Sequence, residues 1–175
     1  MVIKEASTNY KKKIFSFIII IISLSFGPNL LFAQPIPAKI IPEFTFYTLK
    51  DQPFTNKELK KEGKIFFLFF DATCSHCQYE TQLISSHYQD FKNTAFYLVS
   101  MDKKQQIQNF INIYGKQLKD KKNVTVLEDK NRQFIQKFMP SQFPALYIYN
   151  ANHKLLKYWD TLAPIDQILN VIYQH

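Results

Sequence analysis

Ile65-Phe66-Phe67-Leu68-Phe69-Phe70-Asp71-Ala72-Thr73-Cys74-Ser75-His76-Cys77 is the stretch that decides the fold. Its first six residues are all apolar and leave no polar side for solvent. They predict a strand buried on both faces, the central strand of an α/β sheet. Cys74 and Cys77, the only two cysteines, follow at a strand-to-helix junction. Two thiols at this spacing can cycle between dithiol and disulfide. A thiolate at the positive end of a helix is stabilised, which makes the first thiol a usable nucleophile at neutral pH. Open α/β sheets place their active sites at this end of a central strand. The expected chemistry is thiol–disulfide exchange. Half of a zinc site is one alternative, but His76, His87, His153 and His175 offer no paired spacing for the missing ligands. A purely structural disulfide is another, but it would close a very short loop and add little stability.

Working outward, residues 44–49 alternate as a strand, and Asp51-Gln52-Pro53 reads as a turn. Thr55 with Glu58 forms a capping box for a short helix ending near Gly63. A helix is expected over 74–91, with Leu83, Ile84, Tyr88 and Phe91 as its apolar stripe. A buried strand over 94–100, a helix over 103–118, a short strand over 124–127 and a helix over 131–138 follow. Residues 145–149 and 155–159 read as strands joined by a tight turn, and 161–173 as the last helix. The predicted class is α/β, a mixed sheet flanked by helices on both faces.

Residues 1–33 read as a signal peptide. Lys11-Lys12-Lys13 is the positive region, 14–26 the apolar one, and Ala33 suits the position before a cut. Leu31 is large for its place in such a site, and an uncleaved membrane anchor is the alternative. The apolar run is short for a full span. No cysteine lies in the leader, which excludes a lipid-anchored form. Residues 34–42, with three prolines, form an extended lead-in, and 43–175 a single domain. Removing the leader lowers the formal charge from +8 to +5, with lysines scattered along the chain. No basic stripe interleaved with stacking aromatics supports nucleic-acid binding. An exported chain with this cysteine usage belongs in the periplasm or cell envelope.

From Phe44 onward the chain resembles a thioredoxin-fold protein. It looks like the TlpA/ResA-like, AhpC/TSA-related thiol–disulfide oxidoreductases of bacterial envelopes. Four segments carry the likeness: Ile41-Pro42-Glu43-Phe44 with 51–59, the redox loop Phe69 to Cys77, residues 126–138, and Ser141-Gln142-Phe143-Pro144-Ala145-Leu146. The resemblance implies an opening hairpin, Cys74 as the nucleophile and Cys77 as the resolving thiol. It implies a cis Pro144 that sets the Phe143 backbone opposite Cys74 to pair with an extended substrate. It implies no cofactor beyond the redox-active Cys74–Cys77 disulfide, and no metal. Electrons then arrive through another protein's thiols. The implied partners are cysteine-containing envelope proteins and a membrane thiol donor or acceptor, with membrane contact only through an uncleaved leader.

The chain departs from the family pattern at four places, one of them Asp71, in the loop where the family often has a small residue. Thr73 stands where the family has Trp. Leu68 takes the place of thioredoxin's buried acid, so a water or a more distant group such as Asp71 must take the resolving thiol's proton. Phe143 is bulkier than the usual residue before the cis-proline. Thr73 and His76 are the residues expected to tune the pair. Histidine between the cysteines is similar to protein disulfide isomerase and DsbA and favours an oxidase or isomerase. The TlpA-like resemblance favours a reductase, with support of cytochrome c maturation as one such role. A thiol peroxidase and a redox-inert binding protein are the other readings. Asp71 occupies the spacing where a peroxidatic loop has Thr.

Overall fold

The computed structural model describes residues 36–174, so the expected leader lies outside the described residues. Its strands are β1 (Thr45–Thr48), β2 (Pro53–Thr55), β3 (Lys64–Phe70), β4 (Thr94–Ser100), β5 (Val124–Glu128), β6 (Ala145–Tyr149) and β7 (Leu155–Trp159). The helices are α1 (Ser75–Ser86), α2 (Lys104–Tyr114), α3 (Gln133–Phe138) and α4 (Ile165–Tyr173). One mixed sheet runs in the order β2-β1-β5-β4-β3-β6-β7. Strands β3, β4 and β5 are parallel neighbours, while β6 pairs antiparallel with both β3 and β7. The hairpin β1–β2 joins the far edge through antiparallel pairing of β1 with β5.

β3 is the central strand, and its alternation splits the core in two. Phe66, Leu68 and Phe70 point to the face covered by α1, α2 and α4. Ile65, Phe67 and Phe69 point to the face covered by α3 and the β1 hairpin. The second face is built of aromatic rings: Phe134 stacks on Phe69 at 4.2 Å and on Phe138 at 4.1 Å. Burying each ring contributes roughly 2–3 kcal/mol. The α/β class with helices on both faces is as expected. Among the described residues no helix is long and apolar enough to cross a membrane.

Several boundaries differ from the sequence reading. Pro53 is not part of a turn but opens β2; the turn is Thr48–Gln52, closed by the Thr48 N–H donating to the Gln52 carbonyl at 2.9 Å. The Thr55/Glu58 capping box is present, but it caps one 3₁₀ turn, Asn56–Glu58, and not a helix reaching Gly63. α1 stops at Ser86, where the Ser86 hydroxyl and the His87 ring both reach the Leu83 carbonyl, and a 3₁₀ turn over Tyr88–Asp90 follows. α2 ends at Tyr114 because Gly115 caps it. α4 starts at Ile165 because Pro164, which lacks an N–H, occupies its cap.

Candidate active site

The end of β3 delivers the redox loop to the surface, and two carboxylates fold that loop. Asp71 accepts from the Thr73 N–H at 2.7 Å and the Thr73 hydroxyl at 2.6 Å. Asp102, just beyond β4, accepts from the Ala72 N–H at 2.7 Å and the Ser100 hydroxyl at 2.9 Å. The loop then closes with the Cys74 N–H donating to the Asp71 carbonyl at 3.2 Å. Thr73 is thus a turn-forming residue with its hydroxyl occupied, and His76 projects exposed from the first turn of α1.

Cys74 is the N-cap of α1 in extended conformation, and its carbonyl accepts the first helical bond from Gln78 at 3.1 Å. Both cysteines are free thiols; Cys74 is half-buried and Cys77 fully buried. Burial pushes the Cys77 thiol well up, and the neighbouring Cys74 sulfur and Asp71 charge add to this. A hydrogen bond from the Asp71 backbone opposes them in part.

The Phe143–Pro144 peptide bond is cis, as expected. Phe69 lies opposite Ala145 in the β3–β6 ladder, and one further step brings Pro144 level with Phe70 at the mouth of the redox loop. The Phe143 ring tucks against Phe69, with centroids 4.8 Å apart. It shares a cleft with Asp71, Asp102 and Arg132. The structure therefore brings Thr73, Cys74, His76, Cys77, Phe143 and Pro144 to one end of β3. His87 and His153 lie away from it.

One group escaped the sequence reading. Glu80, one turn beyond Cys77 on the inward face of α1, is fully buried. Its Oε2 accepts from the Ala163 N–H at 3.2 Å, while Oε1 and the neighbouring Thr81 hydroxyl have no protein partner. Burial pushes the Glu80 carboxyl up to about 7, with the Ala163 bond opposing. The sequence reading finds no buried carboxylate at Leu68, which holds; the buried acid comes from the helix instead. The signal was there in the spacing Cys77, Glu80, Thr81, Ile84, an inward stripe that contains an acid. Among the described residues no cluster of three or more His, Cys, Asp or Glu side chains could hold a metal ion.

Fold and site together define a thioredoxin-like protein with a dithiol at the end of its central strand. Residues 37–157 match the AhpC/TSA family model, and the chain belongs to that family. No curated protein matches the chain. Among solved structures it is similar to a secreted disulfide oxidoreductase of Mycobacterium tuberculosis homologous to E. coli DsbE, at 20% identity and TM-score 0.61, covering 74% of this chain and 93% of that one. It is similar to the thioredoxin domain of a thiol-disulfide oxidoreductase from Bacteroides vulgatus, at 20% identity and TM-score 0.62, covering 78% and 95%. A peroxiredoxin-like protein from Aquifex aeolicus is also similar, at 16% identity and TM-score 0.61, covering 83% and 88%. At these identities the likeness shows the fold alone.

Proposed function

We propose that the chain is exported to the cell envelope and reduces disulfides of cysteine-containing proteins there, cytochrome c maturation being one process such a reductase serves. The observation that supports this is the asymmetry of the two thiols: Cys74 reaches the surface at a helix N-cap, and Cys77 is buried one turn behind it. Cys74, as thiolate, attacks one sulfur of the partner's disulfide. That bond breaks, the other sulfur leaves as a thiolate, and a mixed disulfide forms. Cys77 then attacks Cys74, which releases the partner fully reduced and leaves the Cys74–Cys77 disulfide. A membrane thiol donor reduces it again.

Cys77 must lose its proton to attack, and burial holds that proton on. Glu80 stands one turn further along the same face, and its carboxyl near 7 matches a base working at neutral pH. Glu80 therefore replaces Asp71 as the proposed acceptor. Phe143 and Pro144 offer the backbone beside which an extended partner segment pairs. Burial and the Asp71 charge both disfavour a Cys77 thiolate. The likeness to the TlpA/ResA-like oxidoreductases of the AhpC/TSA family supports reduction over oxidation. His76 is exposed, and water weakens its influence on the Cys74 sulfur.

Reduction of insulin by dithiothreitol tests the assignment. The wild type is expected to accelerate it, Cys74→Ser to abolish the acceleration, and Cys77→Ser to accumulate mixed disulfides. Equal trapping by both variants would overturn the assigned roles.

A further inference from the structure

Strand direction gathers many of this molecule's lysines at one end. β3, β4 and β5 all run toward the redox site, so the segments that enter them lie at the opposite end. Lysines scattered in the sequence meet there. Lys60, Lys61 and Lys64 lead into β3, and Lys92 leads into β4. Lys116, Lys119, Lys121 and Lys122 occupy the connection from α2 to β5. The β6–β7 turn adds Lys154, and the lead-in adds Lys39, whose carbonyl accepts from the Leu155 N–H at 2.8 Å. The acids among these segments are Glu62, Asp90 and Asp120, with Glu58 on the flank.

Hydrogen bonds tie the segments into one surface. Lys60 Nζ donates to Asn93 at 2.9 Å and Lys64 Nζ to the Gln174 carbonyl at 2.7 Å. Among the described residues none of these lysines is in an ion pair. The ion pairs are those of Asp51 with Lys104 and Lys130, which follow the far ends of β4 and β5. The redox end is mixed in charge: Asp71, Asp102, Glu128, Asp129 and Asp160 stand there beside Lys103, Lys104, Lys130 and Arg132.

The basic end also exposes apolar side chains. Ile40 is 54% exposed and Tyr173 48%. Ile40 bridges to Lys154, so the described chain enters the domain at this end. The apolar run 14–26 lies ten residues upstream of Ile36. Two open clefts mark the surface, one of about 440 Å³ lined by Lys64 and Lys92, the other of about 320 Å³ lined by Lys60 and Lys122.

We propose that this end docks on a bilayer of anionic phospholipids and holds the redox site facing away from the membrane. The lysines meet headgroup phosphates, and Ile40 and Tyr173 sit at the interface. Each lysine brought to an anionic surface strengthens binding about fivefold, an attraction that salt screens within about 10 Å. Lipid is favoured over an acidic protein because apolar side chains accompany the lysines where the chain enters.

The test uses the full chain in vesicles of phosphatidylcholine, or of an equal mixture with phosphatidylglycerol. Lysine acetylation is followed residue by residue by mass spectrometry. An inserted leader acts equally in both vesicles, so the comparison isolates the headgroup charge. Acetylation of Lys61, Lys92, Lys119 and Lys122 is expected to slow about fivefold or more in the mixed vesicles and to recover in high salt. Alkylation of Cys74 and acetylation of Lys103 are expected to stay unchanged. Replacing those four lysines together by Gln should remove the extra protection at Lys121 and Lys154, with glutathione exchange unaffected. Equal rates in both vesicles overturn the proposal, as does protection by a DNA duplex or by polyglutamate but not by vesicles. Protection of Cys74 together with the lysines overturns the orientation. The readout is independent of redox activity.

Discussion

Glu80→Gln is expected to remove the loss of stability that a buried, ionising acid causes as pH rises. The Glu80 carboxyl moves from an ordinary 4.5 to about 7 on folding. Below 4.5 both states hold the proton, and the group contributes no pH dependence. Between 4.5 and 7 the folded chain keeps a proton that the unfolded chain has released, so stability falls as pH rises. Above 7 the loss is complete, about 3 kcal/mol at about 1.4 kcal/mol per pKa unit. Gln keeps the shape and can still accept from the Ala163 N–H, but it never ionises. Its buried amide N–H groups lack partners, which costs about 1 kcal/mol at every pH. The variant should therefore be about 1 kcal/mol less stable than wild type below about pH 4, about equal to it near pH 5 and about 2 kcal/mol more stable at pH 8. Urea unfolding of the reduced proteins from about pH 4 to 8 measures this. Parallel stability curves would refute the buried, ionising Glu80. The same variant should release mixed disulfides about a hundredfold more slowly, the contribution of one positioned base.

His76→Pro should make the pair more reducing by up to about 30 mV, a small change because the imidazole is exposed. Proline fits this first helical turn, and an unchanged glutathione equilibrium would remove His76 from the tuning. Gly63→Ala should destabilise the fold by at least about 2 kcal/mol in urea unfolding. Gly63 has φ +77°, and an added Cβ would lie 2.1 Å from the Asn93 carbonyl, which accepts the Lys64 N–H at 3.0 Å. Near wild-type stability would show that the β3 entry tolerates a different backbone.

The central strand, the redox loop and the cis-proline were legible because each rests on local chemistry. Six apolar residues have one stable environment, and a cysteine pair beside Pro144 defines its own context. Helix ends were less legible. The period of the α1 stripe runs on to Phe91, yet competition for the Leu83 carbonyl ends the helix at Ser86. β2 was hidden by Pro53, which reads as a turn residue but sits at a sheet edge where its missing N–H costs little. Glu80 was hidden because an acid ordinarily marks the outward face of a helix. The lysines read as scattered because only strand direction brings their segments to one end.

Equilibration of the Cys74–Cys77 pair with glutathione reads the direction of exchange. The pair is expected to titrate as one two-electron couple in the thioredoxin range, at about −270 mV. A value near about −120 mV, that of a strong oxidant, would contradict the reductive reading. Failure of the two thiols to form any disulfide would contradict the redox pair itself.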